Sequence, residues 1–377
     1  MLLTTYFIIT LFFASAYIAI MLVYLSGWKD LPIFKDPTED YKPTTSISVL
    51  IAARNEDNNI GKCLDSILAQ NYPKDLFEIL VINDNSEDKT AEIVHSKGLN
   101  VVNLREYTDK GSKKKAIEVG VNLAKGQLIV TTDADCFAQT NWLRTIASFY
   151  EEKKYRFIAS PVNFYEEKNV FEKAQSLDFL GLMLITGSGI HKGFMHMCNG
   201  ANLAYERSVF YEVGGFEGID QLASGDDMLL MQKVALKYPG SLGFLKNTSA
   251  IIFTHAKSTW DSFISQRIRW ASKTNSYKEF LVTTILALVF FFCNNILFTL
   301  LLSLFLGIKF LILFFVLIGV KATMDYILLS PIATFFNRRD LLKSFFLAFL
   351  GHIAYIIIVG ILANLVFNYE WKGRRVR

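Results

Sequence analysis

Four long apolar segments restrict what this 377-residue chain can fold into more than any other feature. One opens the chain and three follow its middle, at 2–25, 280–306, 308–336 and 345–367. Each is long enough for a helix to cross the hydrocarbon core of a bilayer. They concentrate the apolar content of a chain that is 52% hydrophobic. The sequence therefore predicts a membrane-anchored protein with a folded polar body between its spans.

We expect the first apolar segment to be an uncleaved membrane helix and not a signal peptide. No basic residues precede it, no small-residue cleavage pattern follows it, and Trp28 and Lys29 come next. The positive-inside rule then predicts an integral, multi-pass protein of the plasma or inner membrane with a cytoplasmic body. Three later crossings would leave the basic tail 371–377 outside, against the same rule. Either one apolar segment is re-entrant, which we favour, or the tail breaks the rule.

These boundaries predict six regions along the chain. They are a transmembrane helix at 1–27, a linker at 28–45, a cytoplasmic α/β domain at 46–258, an interfacial helix at 259–279, C-terminal transmembrane helices at 280–370 and a basic tail at 371–377. A net charge of only +4 is too small to indicate a nucleic-acid-binding protein. Four scattered cysteines predict neither a disulfide framework nor a zinc site.

Short apolar strands alternate with amphipathic helices in the first part of the α/β domain. Strands are predicted at 47–51, 77–83, 100–104 and 128–130, with helices at 58–70, 90–97 and 113–124 between them. This alternation predicts a mainly parallel sheet with helices on both faces. Such sheets bind ligands at the carboxyl ends of their strands. Because the chain has no Gly-x-Gly-x-x-Gly or Walker sequence, phosphates would have to be held in another way.

Two carboxylates, Asp133 and Asp135, follow the last of these strands one residue apart. Hard oxygen ligands of this kind suit Mg²⁺ or Mn²⁺, which usually also hold substrate phosphates. A polar turn after a strand is the alternative, and an isolated Asp-x-Asp favours that alternative. The functional interpretation therefore depends on the other motifs in the chain.

Five short motifs occur in order and together resemble those of the family 2 inverting glycosyltransferases. They are Ala52–Glu56, Asp84 in Asn-Asp-Asn-Ser, Asp133–Asp135, Gly225–Asp227 and Gln266–Trp270. The flanking spans resemble those of membrane-bound members such as cellulose, hyaluronan and poly-N-acetylglucosamine synthases and ceramide glucosyltransferase. The resemblance implies a GT-A fold, a Rossmann-like and mainly parallel sheet, for the α/β domain. It also implies a nucleotide-sugar donor, a UDP-sugar by family frequency with GDP as the alternative.

The resemblance implies a role for each motif. The donor nucleotide would be bound by Ala52, Arg54, Glu56, Asp84, Lys114 and Asp133, the metal by Asp135 and Asp133, and the diphosphate or acceptor by Asp226, Gln266, Arg269 and Trp270, with Asp227 as the catalytic base. Inversion needs one carboxylate to take the proton of the acceptor hydroxyl. The family usually has Glu-Asp where this chain has Asp226 and Asp227. A solvated turn at Asp84, a basic helix start at Lys114 and a helix cap at Asp227 remain alternatives.

Three functions are compatible with these motifs. The first is transfer of one sugar to a lipid-linked or membrane-embedded acceptor at the cytoplasmic face, since few spans make a wide polymer channel hard to build. The second is a processive polysaccharide synthase, because the Gln-x-x-Arg-Trp motif is common in those enzymes. The third is a catalytically silent membrane scaffold that has kept the fold.

Three further sequence features carry expectations of their own. The apolar stretch 179–190 is too short and too rich in glycine to span a membrane, so we expect a buried or interfacial helix lining an acceptor site. Lys321 and Asp325 lie four residues apart inside a predicted span and are expected to neutralise each other as a structural pair. His255 is expected to be a structural histidine.

Overall fold

The computed structural model describes residues 2–109, 111–219, 225–271, 280–365, 369–371 and 374–376. The chain divides into two compact units, each built from separate stretches. The helical unit comprises Met1–Asp30, Glu167–Met195 and Ala256–Tyr369, and the α/β unit comprises Leu31–Glu166, His196–His255 and Glu370–Arg377. Residues 167–195, which the sequence assigns to the 46–258 domain, group with the apolar helices.

The helices and strands are numbered along the whole chain. The helices are α1 (Leu2–Asp30), α2 (Ile60–Leu68), α3 (Thr90–Ser96), α4 (Lys113–Leu123), α5 (Trp142–Lys153), α6 (Val170–Lys192), α7 (Arg207–Glu212), α8 (Asp226–Lys237), α9 (Trp260–Ala271), α10 (Phe280–Leu306), α11 (Ile308–Phe335) and α12 (Phe345–Leu365). The strands are β1 (Ile47–Ala53), β2 (Phe77–Asn83), β3 (Val101–Asn103), β4 (Leu128–Asp133), β5 (Phe137–Ala138), β6 (Phe157–Ala159), β7 (Val162–Phe164), β8 (Leu203–Glu206), β9 (Leu242–Phe244), β10 (Ile252–Thr254), β11 (Tyr369–Trp371) and β12 (Arg374–Val376).

A seven-stranded sheet in the order β3-β2-β1-β4-β8-β6-β9 forms the centre of the α/β unit. β1 pairs in parallel with β2 and β4, whereas β8 runs antiparallel to β4 and β6. Most of β1 and the first half of β4 are apolar, because both strands are buried on both faces, as parallel strands between helices are. The predicted α/β class with a mainly parallel sheet is confirmed.

Tight packing joins the start of β4 to β1. Gly126 donates its backbone N–H to Ser48 Oγ at 2.8 Å, and a Cβ at Gly126 would lie 2.4 Å from the backbone nitrogen of Ser48. A side chain at this position would therefore push the two strands apart, so glycine is required for the close approach.

A second, smaller sheet in the order β5-β10-β7 extends the α/β unit beside the end of β4. Its strands are only two or three residues long and have no periodic pattern that sequence analysis detects. Before β8, residues 199–202 form a turn closed by Asn202 N–H donating to Asn199 O at 3.2 Å. Only β8 is extended.

In the described part of the helical unit, four helices are long and apolar enough to cross a membrane: Leu3–Asp30, Phe280–Leu306, Ile308–Phe335 and Arg339–Ala363. Polar contacts tie them together, among them Asn295 Nδ2 donating to Thr10 Oγ1 at 3.2 Å. Lys321 Nζ lies 2.6 Å from Asp325 Oδ2, and Tyr17 donates its hydroxyl to the same carboxylate. The predicted pairing of Lys321 with Asp325 is therefore confirmed.

The helix predicted at 179–190 is longer than expected and begins at residue 170. Asn169 caps it by accepting the Glu172 N–H at 2.9 Å, and Gly193 ends it with a φ of 69°. Its first turns look too polar for a buried helix, but their side chains have partners, such as Gln175 Nε2 donating to Lys257 O at 2.8 Å. The expectations of a re-entrant segment and of a cytoplasmic tail at 371–377 stay predictions, since the tail's side chains lie outside the described residues.

Candidate functional site

The carboxyl ends of β2, β1 and β4 lie side by side, so the residues that follow them meet at one edge of the sheet. Asp84 donates its N–H to Ala53 O at 2.8 Å, and Ala52 is the register partner of Asp133. Asp84 and Asp133 therefore flank the end of β1, about 10 Å apart by ordinary strand spacing. Asp84 is only 1% exposed.

Arg54 and Glu56 hold the loops after β1 and β2 against each other. Arg54 is 8% exposed and donates from Nη1 to the carbonyls of Asp84 and Asn85, at 2.8 and 3.0 Å. The Glu56 N–H donates to Thr90 Oγ1 at 2.8 Å. These contacts fix the rim of the candidate nucleotide site before any ligand enters it.

Asp133, Asp135 and Cys136 place possible ligand atoms within 4.8 Å of one another. Burial, with the negative charges of Asp135 and Asp133, raises the pKa of the Cys136 thiol well above its usual value. The thiol therefore stays protonated and donates to Asp135 Oδ1 at 3.6 Å. Two carboxylates this close together fit Mg²⁺ or Mn²⁺ held together with phosphate oxygens.

Lys113 is the residue that sequence reasoning missed. Its ammonium pairs with Asp133, with side-chain exposures of 26% and 35% respectively. Burial lowers the pKa of Lys113, but the charges of Asp133, Asp226 and Asp227 outweigh burial and raise the pKa overall. Lys114, the predicted donor contact, is instead buried and donates from Nζ to Ile219 O at 2.5 Å. In the structure it is thus Lys113 that faces the carboxylates, and the donor contact of Lys114 stays a prediction.

Asp227 lies in the first turn of α8, after Gly225, whose φ is 91°. Its Oδ2 accepts the Gly200 N–H at 2.9 Å, and its Oδ1 accepts the Met228 N–H at 2.8 Å. A Cβ at Gly200 would lie 3.3 Å from Asp227 Oδ2 and 3.4 Å from Lys113 Nζ, so these groups are neighbours. Gly225 holds the N-cap position of α8, so Asp227 is not the N-cap residue.

His255 follows β10, next to the Asp-x-Asp turn. Thr254 Oγ1 donates to Asp135 O at 3.4 Å, which fixes the end of this strand beside the carboxylates. His255 Nε2 lies 2.7 Å from the Tyr165 hydroxyl, and Lys62 Nζ donates to the same hydroxyl at 2.9 Å. The histidine thus has a defined partner, in line with the structural role expected for it.

The Gln-x-x-Arg-Trp residues belong to the helical unit and lie on α9. Gln266 Oε1 is buried and has no hydrogen-bond partner among the described residues. The Trp270 ring packs on the guanidinium of Arg267, 4.5 Å from its centroid. Of the predicted site residues, the α/β unit brings together Asp84, Asp133, Asp135, Asp226 and Asp227, while Gln266, Arg269 and Trp270 form a separate group in the other unit.

Comparisons with known proteins agree with this geometry. Residues 48–214 match the family described as Glycosyl transferase family 2. The probable glycosyltransferase YdaM of Bacillus subtilis is 26% identical over 267 residues, which is 67% of this chain and 60% of that protein. The dolichyl N-acetyl-alpha-D-glucosaminyl phosphate 3-beta-D-2,3-diacetamido-2,3-dideoxy-beta-D-glucuronosyltransferase of Methanococcus voltae is 31% identical over 111 residues, or 29% of this chain and 35% of that protein. The chain thus spans 60% or less of the length of these relatives.

A solved structure extends the likeness to the whole chain. The mannosyltransferase PcManGT from Pyrobaculum calidifontis, in complex with GDP-Man and Mn²⁺, has a TM-score of 0.60 at 18% identity, covering 94% of this chain and 98% of its own. Together with the sheet and its carboxylate edge, this defines a protein of the GT-A fold class. The predicted fold is confirmed, and the match over residues 48–214 is to the family that the motifs resemble.

Proposed function

We propose that the protein is an inverting glycosyltransferase that moves a sugar from a nucleotide-sugar to a lipid-linked or membrane-embedded acceptor at the cytoplasmic face. The observation that carries the proposal is the gathering of Asp84, Asp133, Asp135 and Asp227 at one sheet edge, with the Lys113 cation among them. A turn or a cap would not need carboxylates from three separate segments to meet. The family 2 match supports the same chemistry.

The nucleoside of the donor would lie on the rim formed by the loops at 52–56 and 84–86. Asp84 is buried there and accepts a hydrogen bond from Asn85 Nδ2 at 3.2 Å. Its carboxylate has further acceptor capacity, which suits an N–H of the base. The backbone bonds of Arg54 keep this rim in place.

Asp135 and Asp133 would hold Mg²⁺ or Mn²⁺, which supplies positive charge for the diphosphate when bound. Lys113 contributes a second positive charge next to Asp133. The Mn²⁺ in the PcManGT complex supports a divalent cation for this fold. Arg269, through its forked donors, is the proposed diphosphate contact from α9.

Asp227 is the proposed general base. Its carboxylate takes the proton of the acceptor hydroxyl while that oxygen forms the new bond to the anomeric carbon. The bond from the anomeric carbon to the phosphate oxygen breaks on the opposite face, and the nucleoside diphosphate leaves with the electron pair. The hydrogen bonds from Gly200 and Met228 hold the carboxylate in one orientation for this step.

The proposed acceptor is a lipid-linked or membrane-embedded hydroxyl compound. Four helices among the residues that the structure describes have the length and apolarity to cross a membrane. The Methanococcus voltae relative is named for a dolichyl-linked acceptor. Glycan extension by a processive synthase is the second candidate, because α9 carries Gln266, Arg269 and Trp270 in the spacing of that motif.

The test uses purified full-length protein with labelled UDP- and GDP-sugars, Mn²⁺ and extracted membrane lipids. We expect one labelled lipid product, and we expect Asp227→Asn to abolish transfer while nucleotide still raises the melting temperature. A high-mass ladder would support the processive alternative. Nucleotide binding without turnover on the whole panel, or undiminished transfer by Asp227→Asn, would contradict the proposal and favour the silent scaffold.

A further inference from the structure

The motif helix α9 is attached to α6 by a buried ion pair. Arg267 lies inside the Gln-x-x-Arg-Trp motif, at a position that the motif leaves open. Its Nη2 is 2.8 Å from Asp178 Oδ2, and the two side chains are only 4% and 9% exposed. An ion pair withdrawn this far from water is held by geometry and by additional hydrogen bonds.

The same carboxylate also binds α12. The Tyr355 hydroxyl donates to Asp178 Oδ1 at 2.8 Å, and His352 Nδ1 lies 3.5 Å from that oxygen. Asp178 thus connects α6, α9 and α12. We call Asp178, Arg267, His352 and Tyr355 the Asp178 cluster.

Aromatic rings enclose the Arg267 guanidinium and link it to the motif. Its carbon lies 4.9 Å from the ring centroid of Phe263, 4.5 Å from that of Trp270 and 5.4 Å from that of Tyr355. A planar guanidinium stacks on such rings in a defined orientation. The orientation of the Trp270 ring, a motif residue, is therefore set in part by Arg267.

The chain leading into α9 is fixed by the same helix. Gln175 of α6 donates to Lys257 O at 2.8 Å and accepts the Lys257 N–H at 3.1 Å. Phe171 of α6 packs on Trp260 with ring centroids 4.5 Å apart. Residues near both ends of α9 thus contact α6. The Oε1 atom of Gln266 is buried and has no hydrogen-bond partner among the described residues.

We propose that Asp178 and Arg267 are positioning residues, which fix the rotation of α9 and with it the orientation of Gln266, Arg269 and Trp270, the residues proposed to bind diphosphate and acceptor. The inference rests on the proposed function. Neither residue touches the reacting atoms in this assignment. Both act through the motif residues that share α9 or pack on it.

A pair of single variants and their double variant separate positioning from folding. Asp178→Asn or Arg267→Met alone leaves one buried charge without its counter-charge, so each lowers the melting temperature of the protein. The double variant removes both charges and regains most of that stability. If the pair positions α9, the double variant still turns over about 10- to 100-fold more slowly than the wild type, as expected for a small misplacement of binding groups.

Two further variants serve as controls. Arg267→Lys keeps the charge without the planar stack, and we expect it to recover part of the lost kcat. Lys321→Met with Asp325→Asn removes a different buried pair of the helical unit, which lies on α11 with Nζ 2.6 Å from Oδ2. This second double variant should keep the wild-type kcat.

Steady-state kcat and KM for donor and acceptor, with melting temperatures, decide the question. A wild-type kcat in the stable Asp178→Asn, Arg267→Met variant would overturn the positioning role and leave only a structural one. An equal loss in the Lys321, Asp325 variant would overturn it too, since the effect would not be specific to α9. If wild-type protein transfers no sugar at all, the proposed function itself fails and the inference fails with it, an outcome visible before any variant is made.

Discussion

Adjacent lysines at the start of α4 have different partners. Lys113 pairs with Asp133, whereas Lys114 reaches the carbonyl of Ile219. Successive helix positions point about 100° apart, so only one of the neighbours can face the strand ends. A run of three lysines does not reveal which one this is, because the rotation of the helix is decided by packing. The carboxylates, in contrast, were predictable, since each follows a recognisable strand or heads a helix.

Replacing Lys113 tests its role at the site. In Lys113→Met, the carboxylates of Asp133, Asp226 and Asp227 lose the cation between them. We expect transfer to slow by about 100-fold, the order seen when one preorganised electrostatic group is removed. Steady-state kinetics with a nucleotide-sugar gives the ratio of kcat/KM values.

Lys114→Met is the matched control, because Lys114 is equally basic and adjacent. Its loss leaves the carbonyl of Ile219 without this hydrogen bond, so the melting temperature should fall. The rate of transfer should change less than in Lys113→Met. A larger rate loss in Lys114→Met than in Lys113→Met would show that the assignment of the two lysines is reversed.

Among the elements, long buried strands were predictable and short ones were not. The strands β1, β2 and β4 are six or seven residues long and carry apolar runs of three to five residues that sequence patterns recognise. Four other strands, β5, β7, β9 and β10, have two or three residues each. They are extended because they pair with neighbouring strands, and not because of a pattern in their own sequence. The extent of α6 was underestimated for a related reason, since its polar first turns are buried by partners that lie far away in sequence.

The end of α5 gives a prediction about pH. Glu151 accepts hydrogen bonds from the Tyr41 hydroxyl and from the N–H and hydroxyl groups of Thr44 and Thr45, at 2.7 to 3.1 Å. Burial raises the pKa of Glu151, but these donors outweigh burial and hold the pKa below its usual value. The carboxylate therefore stabilises the fold fully above the pKa of an unfolded glutamate, about 4.3, and the contribution is lost as the pH falls through the lower folded value.

Glu151→Gln should thus melt several degrees below the wild type at pH 7, and the gap should shrink as the pH falls below about 4. Glu152→Gln is the control, since Glu152 is exposed and pairs only with its neighbour Lys153 among the salt bridges of the described residues. It should change the melting temperature little at any pH. A gap for Glu151→Gln that stays constant down to pH 3 would contradict the assignment.

For the molecule as a whole, the class of fold was predictable and the division into units was not. Strand and helix alternation with five ordered motifs led to the GT-A fold. The chain, however, passes from one unit to the other at residues 30–31, 166–167, 195–196 and 255–256. Helix α6 has the sequence context of the α/β domain, and only the packing of α1, α11 and α12 against it reveals where it belongs.

This division predicts how a truncated protein behaves. A fragment of residues 46–258 would contain α6 without α1, α11 and α12, and so would expose a helix with fourteen buried residues. We expect the fragment to aggregate in buffer and to become monodisperse only with detergent. Size-exclusion chromatography with and without detergent measures this, and a monodisperse fragment in plain buffer would restore the domain boundaries expected from the sequence.

The pairing of Lys113 with Asp133 also bears on the order in which ligands assemble. The site already contains its own counter-ion, so a free divalent cation has to compete with an ammonium group that never leaves the protein. Phosphate oxygens change that balance, because they give the ammonium another anion to contact. Mn²⁺ alone and nucleoside diphosphate alone should therefore each shift the melting temperature little, and the two together should shift it by more than the sum. The protein would in that case bind its metal as a complex with the nucleotide and would bind metal only weakly when no nucleotide is present.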